Sequence, residues 1–454
     1  MAYTSLADGA SVAVSLTQGW VIKTTGAGLA TFGPGPLNGQ TRGLDGKATV
    51  GPFGYAVTVY LTGRLSLAYE ASDPTDIGTL TTAQATAVQA LVSGAGISAK
   101  SKALRGFHAA LALRNSAPCN LLHYGDSITW GLLSGAFAAR WTDVMRTRIR
   151  QRFPQTAAGG QGFLPVANTF NAYTPPDAPA VWTGGAGVGQ NFGPSADGFV
   201  LSASGHKIVY TFTGTGCDIW YAKYGGGGTM YYKVDGGAPN NIDTNGAFDT
   251  AARVQTIRGL SVASHTVEVG WVSGTSYSNG VTAYNGDEST GVRQFVAAWP
   301  GTASAYWYLA GQNNHHINAV TAIDPHLVTI ELGANDFASS AGRSSPAAFK
   351  ANVKGLIAAV KAKVTGRVPS FVLLKVWPLT PSGTPLAAWA DYCTAMDQIA
   401  AEDPDGAVYV HDWQARTFGT AGDTLGGLMP DTAHPGPALN AILAEQLLTD
   451  ILPV

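Results

Sequence analysis

The chain has 454 residues, a length that predicts about three domains, each large enough to bury a core. Apolar residues make up 45% of it and charged residues only 12%, with 57 glycines, which excludes a mainly disordered, coiled-coil or collagen-like protein. The 27 basic and 29 acidic residues give a net charge of -2 without any basic run, so we expect no nucleic acid partner.

The start of the chain carries no positive segment ahead of an apolar stretch, so we expect no Sec signal peptide and a protein made soluble in a cytoplasm. No apolar run approaches the ~18 residues of a membrane span, so we expect none.

Residues 1–75 contain short stretches in which apolar and polar residues alternate, such as residues 55–61, separated by glycine and proline clusters. This pattern predicts a small all-β N-terminal module.

Helical spacing of apolar residues begins after this module. It occurs first at residues 87–92 and again at residues 104–113. We therefore expect a helical connector over residues 76–115.

The next part of the chain alternates between strand and helix patterns. Residues 119–124 predict a strand that ends in the turn Gly125-Asp126-Ser127 and leads to a helix over residues 133–152. After residue 291 we expect strands at 295–299, 327–332, 371–376 and 408–410, and helices at 304–321, 346–364, 386–401 and 436–452. This alternation predicts an α/β fold with a doubly wound, parallel, five-stranded sheet, built from residues 116–158 and 291–454.

Between these two parts, at residues 159–290, the helical pattern disappears and short alternating strands return, so we expect an inserted β-sandwich. Its strands carry many aromatic residues, among them Trp220, Tyr221 and Trp271. Because aromatic faces stack on sugar rings, these three are candidate substrate-binding residues of a carbohydrate-binding module. The alternative is that the aromatic residues fill the core and rim of the sandwich.

Residues suited to catalysis follow several of the predicted strands. Ser127 follows the first strand, Gly301 the second and Asn335 the third, while Asp431 and His434 precede the last helix. The carboxyl ends of parallel strands meet at one edge of a sheet, so we expect these residues to lie together. They supply a nucleophilic hydroxyl, a histidine base, an orienting carboxylate and donors for an oxyanion, which are the parts of an acyl-transfer site.

Three sequence blocks carry a resemblance to a known family. They are Gly125-Asp126-Ser127-Ile128-Thr129, Gly333-Ala334-Asn335-Asp336 and Asp431-Thr432-Ala433-His434. In order and context they match the first, third and last blocks of the SGNH, or GDSL-type, hydrolases, which the chain resembles over roughly 200 residues, a normal domain size.

The resemblance implies a flavodoxin-like fold and an esterase or deacetylase mechanism without metal or other cofactor. Ser127 would attack the ester, His434 would act as general base and then as general acid, and Asp431 would orient His434. The oxyanion hole would comprise the backbone N–H of Ser127, the backbone N–H of a glycine and the side chain of Asn335. Gly301 is the predicted glycine because it follows the second strand, as the family requires, and residues 159–162 offer rival glycines.

Other acidic residues have alternative interpretations. Asp412, at the end of the last strand, is the rival to Asp431 as the orienting acid. We expect Asp336 to fix the loop beside Asn335, and Asp126 to support its turn through backbone hydrogen bonds.

Cysteine and histidine residues give no sign of a metal site. The three cysteines, Cys119, Cys217 and Cys393, are odd in number and far apart, which predicts buried thiols. His315 and His316 have no cysteine or acidic partner at ligand spacing, so we expect no metal.

The domain organisation favours a large polymer as the substrate, since a lipase would be expected to show an apolar lid. We predict removal of acyl groups, O-acetyl above all, from a polysaccharide or cell-wall glycan. Residues 1–75 resemble the attachment modules of bacteriophage tail fibres and tailspikes, some of which carry SGNH-type deacetylase domains. The predicted partners are therefore an acylated polysaccharide and phage tail proteins, in a virion. Such proteins are commonly homo-oligomers, although no heptads or β-helix repeats support one here.

Two other functions stay open. One is an esterase or lipase that acts on small acyl esters or lipids. The other is a non-catalytic, glycan-binding adhesin built on a hydrolase scaffold. The joint presence of Ser127, Asn335, Asp431 and His434 argues against the adhesin, since a scaffold has no need of all four.

Overall fold

The computed structural model describes residues 98–166, 179–189, 192–247, 253–312, 314–338, 343–417 and 428–453, together with eight short strands nearer the N-terminus. It divides into two units, Met1–Lys102 and Ala103–Val454. In the first unit the eight strands form two antiparallel sheets of four. The first sheet contains Ser11–Ser15, Trp20–Thr25, Leu29–Phe32 and Thr41–Gly43, and the second contains Ala48–Thr49, Tyr55–Val59, Leu65–Tyr69 and Thr75–Asp76.

The part of the predicted connector at residues 87–92 lies outside the described residues. The later part forms the helix α1 (Ala99–Ala112). The role of residues 1–75 as an attachment module stays a prediction.

The second unit is built around a sheet of five parallel strands. Its strands are β1 (Pro118–Gly125), β2 (Gly291–Ala298), β3 (Leu327–Glu331), β4 (Ser370–Lys375) and β5 (Val408–Asp412). They lie in the order β2-β1-β3-β4-β5, the flavodoxin-like order of a doubly wound sheet. Parallel strands are covered by helices on both faces, which is why their sequences are almost continuously apolar. The strand order reverses between β1 and β3, and ligands of such sheets bind at the carboxyl ends beside this switch point.

Helices connect the strands and cover the sheet. After α1 they are α2 (Ser127–Trp130), α3 (Trp141–Arg152), α4 (Ser304–Trp307), α5 (Ala319–Ile323), α6 (Ala334–Ala338), α7 (Pro346–Lys363), α8 (Trp389–Ala401), α9 (Trp413–Thr417) and α10 (Pro437–Ile451). Two 3-10 turns span Phe137–Ala139 and His315–Asn318. Within the described ranges, no helix has both the length and the apolar character that crossing a membrane requires.

Two predicted helices are shorter than the sequence pattern indicated. The helix expected over residues 133–152 begins only at Trp141, because Leu133 and Gly135 both have left-handed backbone conformations, with φ of 62° and 77°. The helix expected over residues 304–321 is interrupted in the same way, since Gly311 has φ of 79° and Asn314 lies outside the helical region. The spacing of apolar residues does not reveal such breaks, because it depends on side-chain type and not on backbone conformation.

Nine antiparallel strands lie between α3 and β2 in the chain and form a single hydrogen-bonded sheet. They are Gly162–Leu164, Ala180–Thr183, Ala186–Gly189, Asp197–Leu201, Lys207–Tyr221, Thr229–Val234, Asn240–Asp243, Arg253–Ser273 and Ser276–Tyr284. The strand Lys207–Tyr221 is continuous over 15 residues, with a register shift between Gly214 and Gly216 in its pairing with Arg253–Ser273. The structure therefore contains a β-rich insertion, and its arrangement as a sandwich stays a prediction.

The two ends of the insertion are hydrogen-bonded to each other. Gly159 donates its N–H to the carbonyl of Asn285 (2.9 Å), and Gly160 donates to the carboxylate of Asp287 (3.0 Å). Arg150, on α3, forms an ion pair with the same carboxylate at 3.1 Å. The chain thus leaves and re-enters the parallel domain at adjacent points.

The insertion shares a hydrophobic core with the parallel sheet. Trp220 is 3% exposed and packs edge-on against Phe295 of β2, with ring centroids 6.4 Å apart. Its indole Nε1 donates to the hydroxyl of Thr282 at 2.8 Å, so the polar end of the ring is satisfied inside this core.

Trp220→Ala is expected to lower the free energy of unfolding by about 3–5 kcal/mol, because it removes a large buried ring at this junction. Urea denaturation followed by far-UV circular dichroism measures the change. Val262→Ala is the control, because Val262 lies on the same insertion and is 71% exposed. Equal effects of the two substitutions would contradict a shared core.

Candidate active site

The turn after β1 presents Ser127 at the start of a very short helix. Asp126 is the N-cap of α2, and its Oδ1 accepts a hydrogen bond from the N–H of Ile128 at 2.9 Å. Gly131 ends α2 in a left-handed conformation with φ of 85°, a conformation that favours glycine. Ser127 is 6% exposed, so its hydroxyl lies at a nearly enclosed position at the carboxyl end of the sheet.

The loop before α10 holds Asp431 and His434 in a defined mutual position. One carboxylate oxygen of Asp431, Oδ1, accepts the N–H groups of Ala433 (2.8 Å) and His434 (2.6 Å). The other, Oδ2, lies 2.7 Å from Nδ1 of the His434 ring. A spacing of three residues therefore lets one carboxylate cap the loop and orient the imidazole at the same time.

The charge state of Asp431 follows from these bonds. Partial burial on its own would raise the pKa of the Asp431 carboxyl. The hydrogen bonds from the ring and the N–H of His434, and from the N–H of Ala433, outweigh burial and hold this pKa below its ordinary value. Asp431 is therefore anionic at neutral pH, as the orienting acid of a triad must be.

Neighbouring elements anchor this loop. Trp377, which follows β4, donates its indole N–H to the carbonyl of Ala433 at 3.1 Å. Asn440 of α10 donates to the carbonyl of Pro435 (2.8 Å) and accepts the backbone N–H of Trp141 (3.0 Å). Because the loop is tied to both α3 and the end of β4, His434 has a fixed position relative to the sheet.

The structure joins the three predicted triad residues in one chain of hydrogen bonds. Nε2 of His434 lies 2.9 Å from Oγ of Ser127, on the opposite side of the ring from Asp431. Ser127 and His434 are 307 residues apart in sequence. A histidine between a hydroxyl and a carboxylate has the arrangement needed to take the proton of the hydroxyl.

Asn335 lies at the start of α6, directly after β3, and faces the turn of Ser127. Its Nδ2 donates to Oδ2 of Asp126 at 2.8 Å. An amide carries two N–H donors, so this bond engages one of them and orients the other. Burial raises the pKa of Asp126 to about 6, while the hydrogen bond from Ile128, the side chains of Glu331 and His434 and the hydrogen bond from Asn335 oppose the shift. Asp126 thus supports its own turn, as predicted, and also holds Asn335.

Gly301 lies in the turn that follows β2. Its backbone is left-handed, with φ of 78°, and the N–H of Trp299, two residues earlier, donates to the carbonyl of Gly125 at 3.3 Å. This turn therefore adjoins the carboxyl end of β1. The rival glycines Gly159 and Gly160 both use their N–H groups in the hydrogen bonds that close the insertion. The position supports Gly301, and its role as an oxyanion donor stays a prediction.

The other candidate acids are engaged in local hydrogen bonds. Asp412 accepts the N–H of Ala415 at 2.7 Å, whereas Asp431 contacts the His434 ring. Asp336 accepts both the N–H (2.8 Å) and the hydroxyl (2.6 Å) of Ser304, so it fixes its loop as expected. The geometry therefore favours Asp431 as the orienting acid.

The predicted sugar-binding aromatic residues occupy different environments. Trp220 is 3% exposed and belongs to the core, so its burial corrects the prediction that it stacks on a sugar. Tyr221 and Trp271 are partly exposed at the edge of the insertion's own core. The indole of Trp271 donates to the carbonyl of Gly274 at 2.6 Å, which fixes the orientation of its ring.

Sequence reasoning missed Glu331, the last residue of β3. Its side chain is completely buried and contacts the turn of Ser127 through Thr129 and the backbone of Asp126. A charged residue type at the end of an otherwise apolar strand was the available signal. Among the described residues, no group of three histidine, cysteine or acidic side chains has the arrangement to hold a metal ion.

Comparison with known proteins supports the SGNH family. A model of the GDSL-like lipase/acylhydrolase family matches residues 264–442, which include Gly301, Asn335, Asp431 and His434 but not Ser127. No curated protein sequence matches the chain.

Among solved structures, a peptidoglycan O-acetylesterase is similar with a TM-score of 0.56 at 15% identity, over 79% of this chain and 97% of the other. A family two carbohydrate esterase from Clostridium thermocellum has a TM-score of 0.28 at 16% identity, over 60% of this chain and 98% of the other. The first of these similarities shows that the second unit has the SGNH hydrolase fold, and the family match supports an acylhydrolase.

Asp431→Asn is expected to slow the reaction of Ser127 with a fluorophosphonate probe by on the order of 10³-fold or more, because the amide no longer fixes the productive His434 tautomer. Mass spectrometry of the labelled peptide measures the rate. Asp412→Asn is the matched control and is expected to stay within about threefold of the unsubstituted protein, since the described contacts of the Asp412 carboxylate are the N–H of Ala415 and, at 4.0 Å, the ammonium of Lys375. If Asp412→Asn slowed the labelling and Asp431→Asn did not, Asp412 would be the orienting acid in place of Asp431.

Proposed function

We propose that this chain is a serine esterase that removes O-acetyl groups from a polysaccharide or cell-wall glycan. The observation that carries the proposal is the hydrogen-bond chain from Asp431 through His434 to Ser127 at the carboxyl ends of an SGNH-type sheet. The SGNH-type fold and the match to an acylhydrolase family support hydrolysis of an acyl ester as the class of reaction. The glycan is inferred from the insertion and from the chemistry of the site.

The reaction proceeds through an acyl-enzyme. His434 takes the proton of Ser127 as Oγ attacks the acetyl carbonyl carbon, and Asp431 stabilises the resulting imidazolium. The tetrahedral oxyanion is stabilised by the free N–H of the Asn335 amide and by backbone N–H groups of Ser127 and Gly301. When the intermediate collapses, the bond between the acetyl carbon and the sugar oxygen breaks, and His434 gives its proton to that departing oxygen, which becomes the sugar hydroxyl.

Water completes the cycle in the same site. His434 removes a proton from water as its oxygen attacks the acetyl-Ser127 carbonyl, and collapse of the second intermediate returns the proton to Oγ. The products are acetate and the deacetylated sugar. His434 therefore acts as a base in both attacks and as an acid in both collapses.

The near-complete burial of Ser127 and Asn335, 6% and 8% exposed, favours a small acyl group. The acyl group must fit between these residues, whereas the sugar part of the ester extends outward. We propose that Tyr221 and Trp271 of the insertion contact the glycan, since both rings are partly exposed. The structural neighbour named a peptidoglycan O-acetylesterase is consistent with such a substrate.

We further propose that residues 1–75 attach the enzyme to a phage tail, where the chain would act as part of an oligomeric fibre or tailspike. The support is the resemblance of this segment to tail attachment modules. Virions assembled without this chain would lose the glycan-deacetylating activity of the particle. Retention of that activity would contradict the attachment role and leave the esterase proposal unaffected.

Ser127→Ala is expected to abolish acetate release from O-acetylated polysaccharides and hydrolysis of p-nitrophenyl acetate, because it removes the nucleophile while leaving the loop of His434 intact. An enzymatic acetate assay and a colorimetric assay measure the two activities. Ser134→Ala is a control, since the Ser134 hydroxyl donates to the carbonyl of Ala136 and lies outside the triad.

The outcomes separate the candidate functions. Release from a polymer by the unsubstituted protein alone supports the glycan esterase, whereas faster hydrolysis of long-chain than of acetyl esters would favour a lipase. Turnover of no ester, with glycan binding that survives Ser127→Ala, would favour the adhesin. Full activity in the Ser127→Ala variant would contradict the mechanism.

Asn335→Ala is expected to lower kcat and kcat/KM equally, by on the order of 10²–10³, because the lost donor acts only on the transition state. Asn352→Ala is the matched control. Asn352 is also 8% exposed, and its amide donates to Ser304 at 3.0 Å, away from Ser127. Similar kcat values for Asn335→Ala and Asn352→Ala would contradict the proposed role of Asn335 as an oxyanion donor.

A further inference from the structure

Glu331 is a buried acid that the triad mechanism does not use. Its side chain is 0% exposed at the end of β3. Oε2 accepts the hydroxyl of Thr129 at 2.9 Å and the backbone N–H of Asp126 at 3.3 Å. Within the described residues, no N–H or O–H group donates to Oε1. Burial of a carboxyl group is costly unless its hydrogen bonds are satisfied, so its presence beside the nucleophile requires an explanation.

The packing around Glu331 depends on a glycine. A Cβ atom on Gly125 would overlap the hydroxyl of Thr129 and would stand 2.9 Å from Oε2 of Glu331. Only glycine at position 125 leaves room for Thr129 and Glu331 to pack against the end of β1. The strand end, the first turn of α2 and the end of β3 therefore form one interlocked unit beneath Ser127.

We propose that Glu331 is a positioning residue of the esterase site, which fixes the backbone of Asp126 and, through Thr129, the short helix that begins with Ser127. The inference rests on the proposed function, because the positioned groups are the nucleophile and the oxyanion donors. The same contact extends to Asn335, whose amide is held by the Asp126 carboxylate at 2.8 Å. Glu331 thus sets the distance between the two predicted oxyanion donors that lie on different elements, the backbone N–H of Ser127 and the amide of Asn335.

The neutral form of Glu331 suits this role. Burial, reinforced by the negative charge of Asp126, raises the pKa of Glu331 well above its ordinary range. Asp126 faces it from the turn, and His434 faces Asp126 from the loop before α10. A neutral carboxyl accepts hydrogen bonds through its carbonyl oxygen without adding a second negative charge beside Asp126.

The test compares Glu331→Gln with Glu331→Leu in the full-length chain. Glutamine keeps an oxygen that accepts both hydrogen bonds, so kcat for p-nitrophenyl acetate is expected to stay within about threefold of the unsubstituted protein. Leucine removes the acceptor, and kcat is expected to fall by about 10²-fold with KM changed less than about twofold, since misplacement of the nucleophile affects the chemical step.

Thr329→Val is the matched control. Thr329 lies two residues earlier on β3, is equally buried, and bonds the ring of His123 at 2.8 Å, away from the site. It is expected to keep kcat within about threefold of the unsubstituted protein, although it also removes a buried hydrogen bond. A kcat loss in Thr329→Val equal to that in Glu331→Leu would overturn the proposal, as would equal losses in the glutamine and leucine variants.

The pH profile separates positioning from a charge effect. If Glu331 is neutral, Glu331→Gln leaves the acid limb of the kcat/KM profile in place. If Glu331 were ionised, loss of its charge would destabilise the imidazolium of His434 and move the acid limb to lower pH. Such a displacement would contradict the proposal.

Hydrogen exchange of the peptide that spans residues 124–131 is a readout independent of turnover. Glu331→Leu is expected to speed exchange of the Asp126 amide, whereas Glu331→Gln and Thr329→Val leave it unchanged. Failure of the unsubstituted protein to hydrolyse any ester would contradict the proposed function, and the exchange data would still decide whether Glu331 fixes the turn. Unchanged exchange in Glu331→Leu would overturn the inference while leaving the esterase intact.

Discussion

The buried carboxylate of Asp126 determines the arrangement of the site around it. It lies at the switch point of the sheet, between β1 and β3, where Oδ1 accepts the N–H of Ile128 and Oδ2 accepts an N–H of the Asn335 amide. Its own N–H donates to Glu331. Because Ile128 follows β1 whereas Glu331 and Asn335 follow one another at the end of β3 and the start of α6, satisfying this one group fixes the helix of Ser127 relative to the β3–α6 turn.

His434, the proposed general base, is positioned by a separate set of contacts. His434 comes from a loop whose backbone is capped by Asp431 and tied to Trp377 and Asn440. In the described part of the chain, the hydrogen bond between Nε2 of His434 and Oγ of Ser127 connects this loop to the turn of Asp126. The loop of His434 and the turn of Ser127 are therefore each organised by their own hydrogen bonds, and the proposed reaction needs the sheet to hold them at hydrogen-bonding distance.

This division explains how much could be predicted from the sequence. The five strands were identifiable because buried parallel strands have long apolar runs. The residues of the predicted triad were identifiable because each lies in a short sequence block whose turn is held by hydrogen bonds between near neighbours in the chain. The interrupted helices near Leu133 and Gly311 were missed because left-handed backbone positions leave no trace in apolar spacing. Glu331 was missed because its role depends on contacts with Gly125 and Thr129, which are distant in sequence. The burial of Trp220 follows from packing between two segments and has no signal in the insertion itself.

The insertion separates the first catalytic block from the others in sequence without separating them in space. It leaves after α3 and returns to β2 at points joined through Gly160 and Asp287, so its length places no strain on the parallel sheet. β1 and β2 then pair in parallel over their full length, from Pro118 with Gly291 to Gly125 with Ala298. The family match that begins at residue 264 consequently omits Ser127, although the serine lies within hydrogen-bonding distance of the matched histidine. An insertion whose two ends are hydrogen-bonded to each other can thus extend the chain between the first and the later blocks while leaving the hydrogen bonds among Ser127, His434 and Asp431 as they are.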